Sequence, residues 1–153
     1  MGAEVFWVGA LHMKILFVMN PKAGTKKAQK YLADILGEFC GAGIQKNRLK
    51  LTSPEWYVFT VIVNGKRVGL RQMLDICNEL ELTTVPIEEV GVDLPYRYPT
   101  VESLLQRADG DYPKGGKKEG IVIRPTEPVY SDLIGTTLSM KVVSNKYLLK
   151  NEV

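Results

Sequence analysis

Lys118-Glu119-Gly120-Ile121-Val122-Ile123-Arg124 and, further on, Leu138-Ser139-Met140-Lys141-Val142-Val143-Ser144-Asn145-Lys146-Tyr147-Leu148-Leu149-Lys150 are the stretches on which the reading of this chain turns. Each opens as a short apolar strand with charged groups at set positions. The first offers a carboxylate and a guanidinium, the second offers lysines. That set suits a metal-bound nucleoside phosphate: the acid holds the cation, and the cationic side chains meet phosphate oxygens. Strand alternation puts Glu119, Ile121 and Ile123 on one face and Gly120, Val122 and Arg124 on the other. Gly120 withholds a side chain where a ligand would approach closely.

Upstream, Trp56-Tyr57-Val58-Phe59-Thr60-Val61-Ile62-Val63 is aromatic and β-branched, as strands are. Asn64-Gly65 then predicts a type I′ hairpin turn, with Lys66-Arg67-Val68 returning. Tyr57, Phe59 and Val61 fall on one face, either as core or with one ring laid on a purine base. Before this strand, Gly37-Glu38-Phe39-Cys40-Gly41-Ala42-Gly43-Ile44-Gln45-Lys46-Asn47-Arg48-Leu49 combines close-set glycines with a lone carboxylate. The glycines alone mean a tight or bulged backbone. After it, Leu70, Met73, Leu74, Cys77 and Leu80 recur at helical spacing, so 69–80 is an amphipathic helix whose apolar positions are core. Thr83–Val90 reads as a short strand at an edge or bulge, because it contains Pro86. Pro95–Pro99 reads as loop, and Thr100 caps a helix running to about Arg107. Asp109–Lys118 reads as a flexible loop rich in Gly and Lys, whose lysines would suit a phosphodiester backbone.

Taken in order, these segments resemble motifs III, IIIa, IV and V of the covalent nucleotidyltransferases, specifically the ATP-dependent RNA ligases. Motif III corresponds to Gly37-Glu38 and the following Gly-Ile-Gln-Lys-Asn, motif IIIa to the strand around Phe59, motif IV to Glu119–Arg124, and motif V to the strand around Lys141. The Ser144–Lys150 tail is similar to the Deinococcus-type nick-sealing branch. The resemblance implies an α+β fold: a partial, ATP-grasp-like nucleotidyltransferase domain over residues 36–153, with antiparallel sheets and flanking helices. It implies that Glu38 engages the ribose, Phe59 stacks on adenine and Glu119 binds a catalytic Mg2+ or Mn2+. Arg124 and Lys141 would meet the nucleotide phosphates. Lys141 and Lys146 would stabilise charge during transfer; the usual second motif V lysine is replaced by Val143, and Lys146 is the nearest substitute. The implied cofactor is ATP, and the implied partner is RNA or a nicked nucleic-acid duplex. The family's reaction starts by attaching AMP to a lysine in Lys-x-Asp-Gly. That pattern is absent from these residues, and Lys22-Ala23-Gly24 lacks its acid and its spacing. A partner chain supplying the lysine is one resolution; a nucleotide- or RNA-binding pseudo-ligase is the other.

The first third reads differently. Lys14–Met19 is a continuous apolar run, Asn20–Thr25 is turn chemistry, and Ala28, Leu32, Ile35 and Leu36 fall near helical spacing. This strand–turn–helix over 13–35 resembles the opening of diacylglycerol-kinase-type lipid kinases, whose Asn-Pro-x-x-Gly lies near ATP. It keeps a lipid-kinase-like phosphotransferase as a distant alternative. Met13 offers a second start, which leaves residues 1–12 as a leader of no structural meaning; the competing reading is a genuine first strand. Without the family's usual N-terminal strands the sheet is expected to have an open edge, covered by the 14–19 strand or by a second subunit.

At 153 residues, with a formal charge of +3, the chain is one domain whose charge permits a phosphate-bearing partner without requiring one. The single histidine, His12, leaves no His-based triad or zinc cluster to argue for. Cys40 and Cys77 have no disulfide or metal spacing, which predicts a reducing, cytoplasmic setting. The apolar run Val5–Met19 is too short and interrupted to span a bilayer, so no membrane partner is expected.

Overall fold

The computed structural model describes residues 3–7, 14–18, 33–44, 47–113 and 116–151. Strands β1 (Ala3–Trp7), β2 (Lys14–Val18), β3 (Ala33–Cys40), β4 (Glu55–Val63) and β5 (Lys66–Arg67) precede helix α1 (Leu70–Glu79). Then come β6 (Ile87–Val92), α2 (Leu94–Arg97), α3 (Val101–Ala108), β7 (Gly120–Pro125), β8 (Tyr130–Ser131), β9 (Thr136–Thr137), β10 (Met140–Val143) and α4 (Asn145–Asn151). The main strands form two antiparallel four-stranded sheets, ordered β10-β7-β1-β6 and β2-β3-β4-β5. This is the expected α+β architecture of antiparallel sheets with helices outside them.

Two apolar clusters hold it together. Val58 and Val61 of β4 and Ile35 of β3 pack with Leu70, Met73, Ile76 and Cys77 of α1, and Val122 of the other sheet joins this cluster. On the opposite face of β7, Ile121 and Ile123 pack with Ala108, Leu104 and Val142 beneath α3. One face of the β7–β10 sheet is thus given to α3, and the other looks toward the β3–β4 sheet.

Several expected elements form for the expected reasons. Asn64 and Gly65 both have positive φ (51° and 74°) between the paired Val63 and Lys66, as a type I′ turn requires. Thr100 and Ser103 make a reciprocal capping box at the start of α3. Helix α1 forms within the predicted 69–80 span. Strand β6 runs over Ile87–Val92 rather than Thr83–Val90, so Pro86 precedes it; it lies at a sheet edge and carries two irregularities, one skipping Glu88 and one skipping Gly91. Bulges there twist the edge away from further pairing.

Other expectations fail. Ile35 and Leu36 sit in β3, so no helix runs over 28–36; the remainder of that segment, residues 20–32, lies outside the described residues. β-Pairing on both sides of β3 overrides the local helical spacing. Within residues 1–12, Ala3–Trp7 forms β1 between β7 and β6, as the competing reading of a genuine first strand expected; the other residues of that segment lie outside the described residues. Strand β2 does cover the edge of β3, although it is itself at the sheet's margin. Pro95–Pro99 is not all loop: α2 starts with Pro95 in its first turn and Asp93 accepting from the Tyr96 N–H. The even alternation Tyr57–Phe59–Val61 is broken by an extra residue, because Leu36 faces Thr60 while Gly37 faces Val58. Phe59 is that bulged residue, and Val58 and Val61 are the pair fully buried instead.

Candidate functional site

The Glu119 carboxylate and the Lys141 ammonium meet. Lys141 Nζ donates to Glu119 Oε1 at 2.7 Å. The alternation expected for Glu119 does not hold, and Gly120 is the reason. Its φ of +155° turns the chain at the first residue of β7. Lys141 stands opposite Val122 in β10–β7 register, on the face shared with Arg124 and turned away from α3. Glu119 therefore reaches the Val122 face rather than the Ile121 face. The backbone at Gly120 also passes so close to β10 that any Cβ would lie 2.1 Å from the Val142 carbonyl oxygen. The Ser144 N–H donates to the Glu119 carbonyl at 2.8 Å, which closes the ladder at this end.

Glu119 is buried, and its second carboxylate oxygen, Oε2, has no hydrogen-bond partner. A buried carboxylate oxygen without a donor is costly, and such groups mark sites completed by an ion or water. Among the described residues no cluster of three or more acidic, His or Cys side chains could hold a metal by itself. A divalent ion here would take Glu119 Oε2 and draw its remaining ligands from water and substrate oxygens, the usual coordination of Mg2+ at nucleotides.

Glu38 is buried in β3, opposite Tyr57. Its neighbour Cys40 has its thiol pushed up to about 12, by burial first and then by the charges of Glu38 and Glu55. Tyr112 is buried beside Glu119, whose N–H donates to the Tyr112 hydroxyl at 3.4 Å. The Tyr112 hydroxyl is pushed far up, chiefly by burial; the Glu119 charge and Cys40 add to the rise, while the Glu119 N–H and Arg48 oppose it. Tyr112 thus sits against the Glu119 backbone.

Arg124 is committed to protein. It donates through Nη1 to the Phe59 carbonyl at 2.7 Å and to Thr60 Oγ1 at 3.3 Å, and through Nε to Ser139 Oγ at 3.2 Å. It satisfies a carbonyl at the Phe59 bulge and joins one sheet to the other. Arg124 and Phe59 line one cleft with Thr60, Arg67 and Leu138, and Glu38, Glu119 and Lys141 are not part of that lining. Phe59 is half-buried against the α1 cluster. We expect Arg124→Ala to cost about 2–4 kcal/mol, since it strips a part-buried carbonyl of a charge-assisted donor. Urea unfolding would read this as a lowered midpoint at unchanged m-value.

Lys146 stands apart from Lys141. Its ammonium is 3.6 Å from Asp109 Oδ2, at the end of α3. Asp109 Oδ1 accepts from Ser144 Oγ at 2.6 Å and from the Lys146 N–H at 3.4 Å. The Ser144 hydroxyl first, then the Lys146 N–H and charge, hold the Asp109 carboxyl below its ordinary value of 3.8 despite some desolvation. A depressed carboxylate stabilises above its unfolded pKa and loses that contribution as pH falls through the folded pKa. We therefore expect α4 to loosen below about pH 4 and Asp109→Asn to abolish that transition, read by amide exchange of Tyr147 and Leu148.

The described lysines of the Asp109–Lys118 loop, Lys117 and Lys118, are less available than expected. Lys117 pairs with Asp111 at 2.8 Å, and Lys118, with Arg107, pairs with Glu88. The irregularity at Glu88 helps explain that network: Arg107 contacts Glu88 and also Glu89, neighbours that an even strand would send to opposite faces. Sequence reasoning also passed over Arg48 and Tyr112. Asn47, at positive φ and bonded by its side chain to Leu51 in both directions, was the available signal that the loop carrying Arg48 is built rather than loose.

A family model described as RNA ligase matches residues 2–143. The chain belongs to the RNA ligase family. The match runs through residues 13–35, the segment that resembled a lipid kinase. Solved structures of Naegleria gruberi RNA ligase share the fold. A point mutant with ATP and Mn has a TM-score of 0.77 at 19% identity over 99% of this chain and 52% of that one. A second mutant, with AMP and Mn, gives 0.74 at 19% identity over 99% and 52%. The protein with PPi gives 0.65 at 20% identity over 99% and 49%. The chain spans about half the length of these RNA ligases. No curated protein matches it. Among the described residues no helix is long and apolar enough to cross a membrane.

Proposed function

We propose that this chain forms the nucleotide pocket of an ATP-dependent RNA ligase, which joins RNA ends through a lysyl-AMP intermediate. The observation that carries the reading is the buried Glu119, with one oxygen on Lys141 and the other unpartnered, within an RNA ligase family domain. Similar folds bound to ATP or AMP with Mn support the choice of ATP and a divalent metal as ligands. The metal, when bound, supplies charge neutralisation for a departing pyrophosphate. Glu119 Oε2 would hold it. Lys141, released from Glu119 by the incoming cation, would turn its ammonium to the α-phosphate and stabilise charge there. Glu38 would receive the ribose; Phe59, which lines the Arg124 cleft and packs against the α1 cluster, would meet the adenine only by leaving that packing and ranks with Arg124 below Glu119 and Lys141.

Lys146 would serve as the second motif V lysine only after leaving Asp109, and Arg124 would contact phosphate only by giving up the Phe59 carbonyl. We therefore rank both below Glu119 and Lys141. On the Ser144–Lys150 tail we assign the chain to the nick-sealing branch, with a nicked duplex as substrate and a role in RNA repair in a reducing, cytoplasmic compartment. The second reading is a nucleotide- or RNA-binding module, in which another chain supplies the lysine or no transfer occurs.

Incubation with α-labelled ATP and Mn2+, denaturing separation and peptide mapping decide between them. A lysine-linked AMP adduct supports the ligase reading and identifies the nucleophile. Saturable ATP binding with no adduct supports the second reading. Absence of both ATP and RNA binding rejects both.

A further inference from the structure

Arg48 has no role in the roles carried over from the family motifs, yet its surroundings are built. Its loop is fixed by Asn47, whose side chain donates to the Leu51 carbonyl at 2.8 Å and accepts the Leu51 N–H at 3.0 Å. From the other side, Gly116 presses on the Arg48 carbonyl so closely that a Cβ would lie 2.2 Å from that oxygen. The guanidinium lies over the Tyr147 ring of α4, 4.5 Å from its centroid. Stacking of this kind fixes the plane of the fork and leaves its edge free to donate.

That edge is unsatisfied. The Arg48 Nε–H is buried and has no hydrogen-bond partner, and among the described residues no carboxylate forms an ion pair with Arg48. The other charged groups in this part of the fold are paired: Lys141 with Glu119, Lys118 with Glu88, Lys146 with Asp109. Arg48 also sits one tyrosine away from Glu119. Tyr112 accepts from the Glu119 N–H, and its hydroxyl feels both the Glu119 carboxylate and the Arg48 guanidinium. A part-buried, oriented guanidinium whose Nε–H lacks a partner, connected through Tyr112 to an acid with a spare oxygen, fits an anion that arrives together with a cation.

We propose that Arg48 is a phosphate-binding residue of this pocket, taking a phosphoryl oxygen through its Nε edge while Tyr147 holds it flat. The inference rests on the ligase reading above and names the phosphate contact that reading lacks. Two sources share this chemistry: the polyphosphate of the nucleotide and the 5′-phosphate of an RNA end.

The test compares wild type, Arg48→Gln and Arg48→Lys in the full chain. Titration calorimetry with Mn2+ measures ATP against adenosine, and fluorescence anisotropy measures a 5′-phosphorylated RNA oligonucleotide against its 5′-hydroxyl counterpart. Arg48→Gln is expected to weaken one phosphate-bearing probe about ten- to hundredfold, the loss of a charge-assisted hydrogen bond, while adenosine and 5′-hydroxyl RNA bind as before. A loss on ATP assigns Arg48 to the nucleotide; a loss on 5′-phosphorylated RNA assigns it to the RNA end. Arg48→Lys keeps the charge without the planar fork and should lose affinity several-fold on the same probe. It is read alone if Arg48→Gln does not fold. Unchanged affinity in both variants, or equal losses with and without phosphate, overturns the proposal. A wild-type chain that binds neither ATP nor RNA defeats the ligase reading itself, before any variant is compared.

Discussion

Replacing Glu119 by Gln is expected to remove metal-dependent ATP binding, with at least a hundredfold rise in apparent Kd in the presence of Mn2+ and little change in its absence. The substitution keeps the side chain's size and one acceptor for Lys141, but it removes the negative charge. A hard divalent ion needs that charge, and among the described residues no acidic cluster stands ready to replace it. Lys141 would then be left without its ion pair. Its side chain is 39% exposed, so water compensates the ammonium and the fold should persist. The expected signature is therefore a folded protein with normal far-UV circular dichroism and no manganese effect on ATP affinity. Equal ATP affinity with and without Mn2+ in the wild type would remove the basis for assigning Glu119 to a metal.

Gly120→Ala is expected to have the opposite character, a large loss of stability. An added Cβ would lie 2.1 Å from the Val142 carbonyl oxygen, which belongs to the backbone of the neighbouring strand and cannot rotate away. The φ of +155° adds strain for any L side chain. Together these should cost about 3–5 kcal/mol, much of the stability of a domain this size. Gly65→Ala makes a useful control, because it has positive φ but open space around its Cβ position, so only the backbone term applies. If Gly120→Ala unfolds at the same urea concentration as wild type, the close approach of β7 and β10 is not as described.

These two neighbours show how far the sequence carried. The alternation of Glu119–Arg124 gave the strand and the apolar faces of Ile121 and Ile123 correctly, because periodicity is what burial imposes. It misplaced Glu119, because one glycine at positive φ breaks the count and periodicity cannot see a φ angle. The same limit appears at Phe59 and Glu88, where one extra residue in a strand shifts the residues that follow. Local signals were reliable where the physics is local: the Asn64-Gly65 turn, the Thr100 cap and the 69–80 helix. Ile35 and Leu36 were misread as helical because their partners, in β2 and β4, are supplied from elsewhere in the chain. Arg124 shows the converse problem for the site. Its residue type suits a phosphate, but only the bulge at Phe59 reveals a carbonyl that competes for it.

A crystal structure with ATP and Mn2+, read by its manganese anomalous signal, is the most direct test. The account predicts an anomalous peak within coordination distance of Glu119 Oε2, with Lys141 turned from Glu119 toward the α-phosphate. A peak away from Glu119, or nucleotide bound with the Glu119–Lys141 pair intact and no metal beside it, would contradict it.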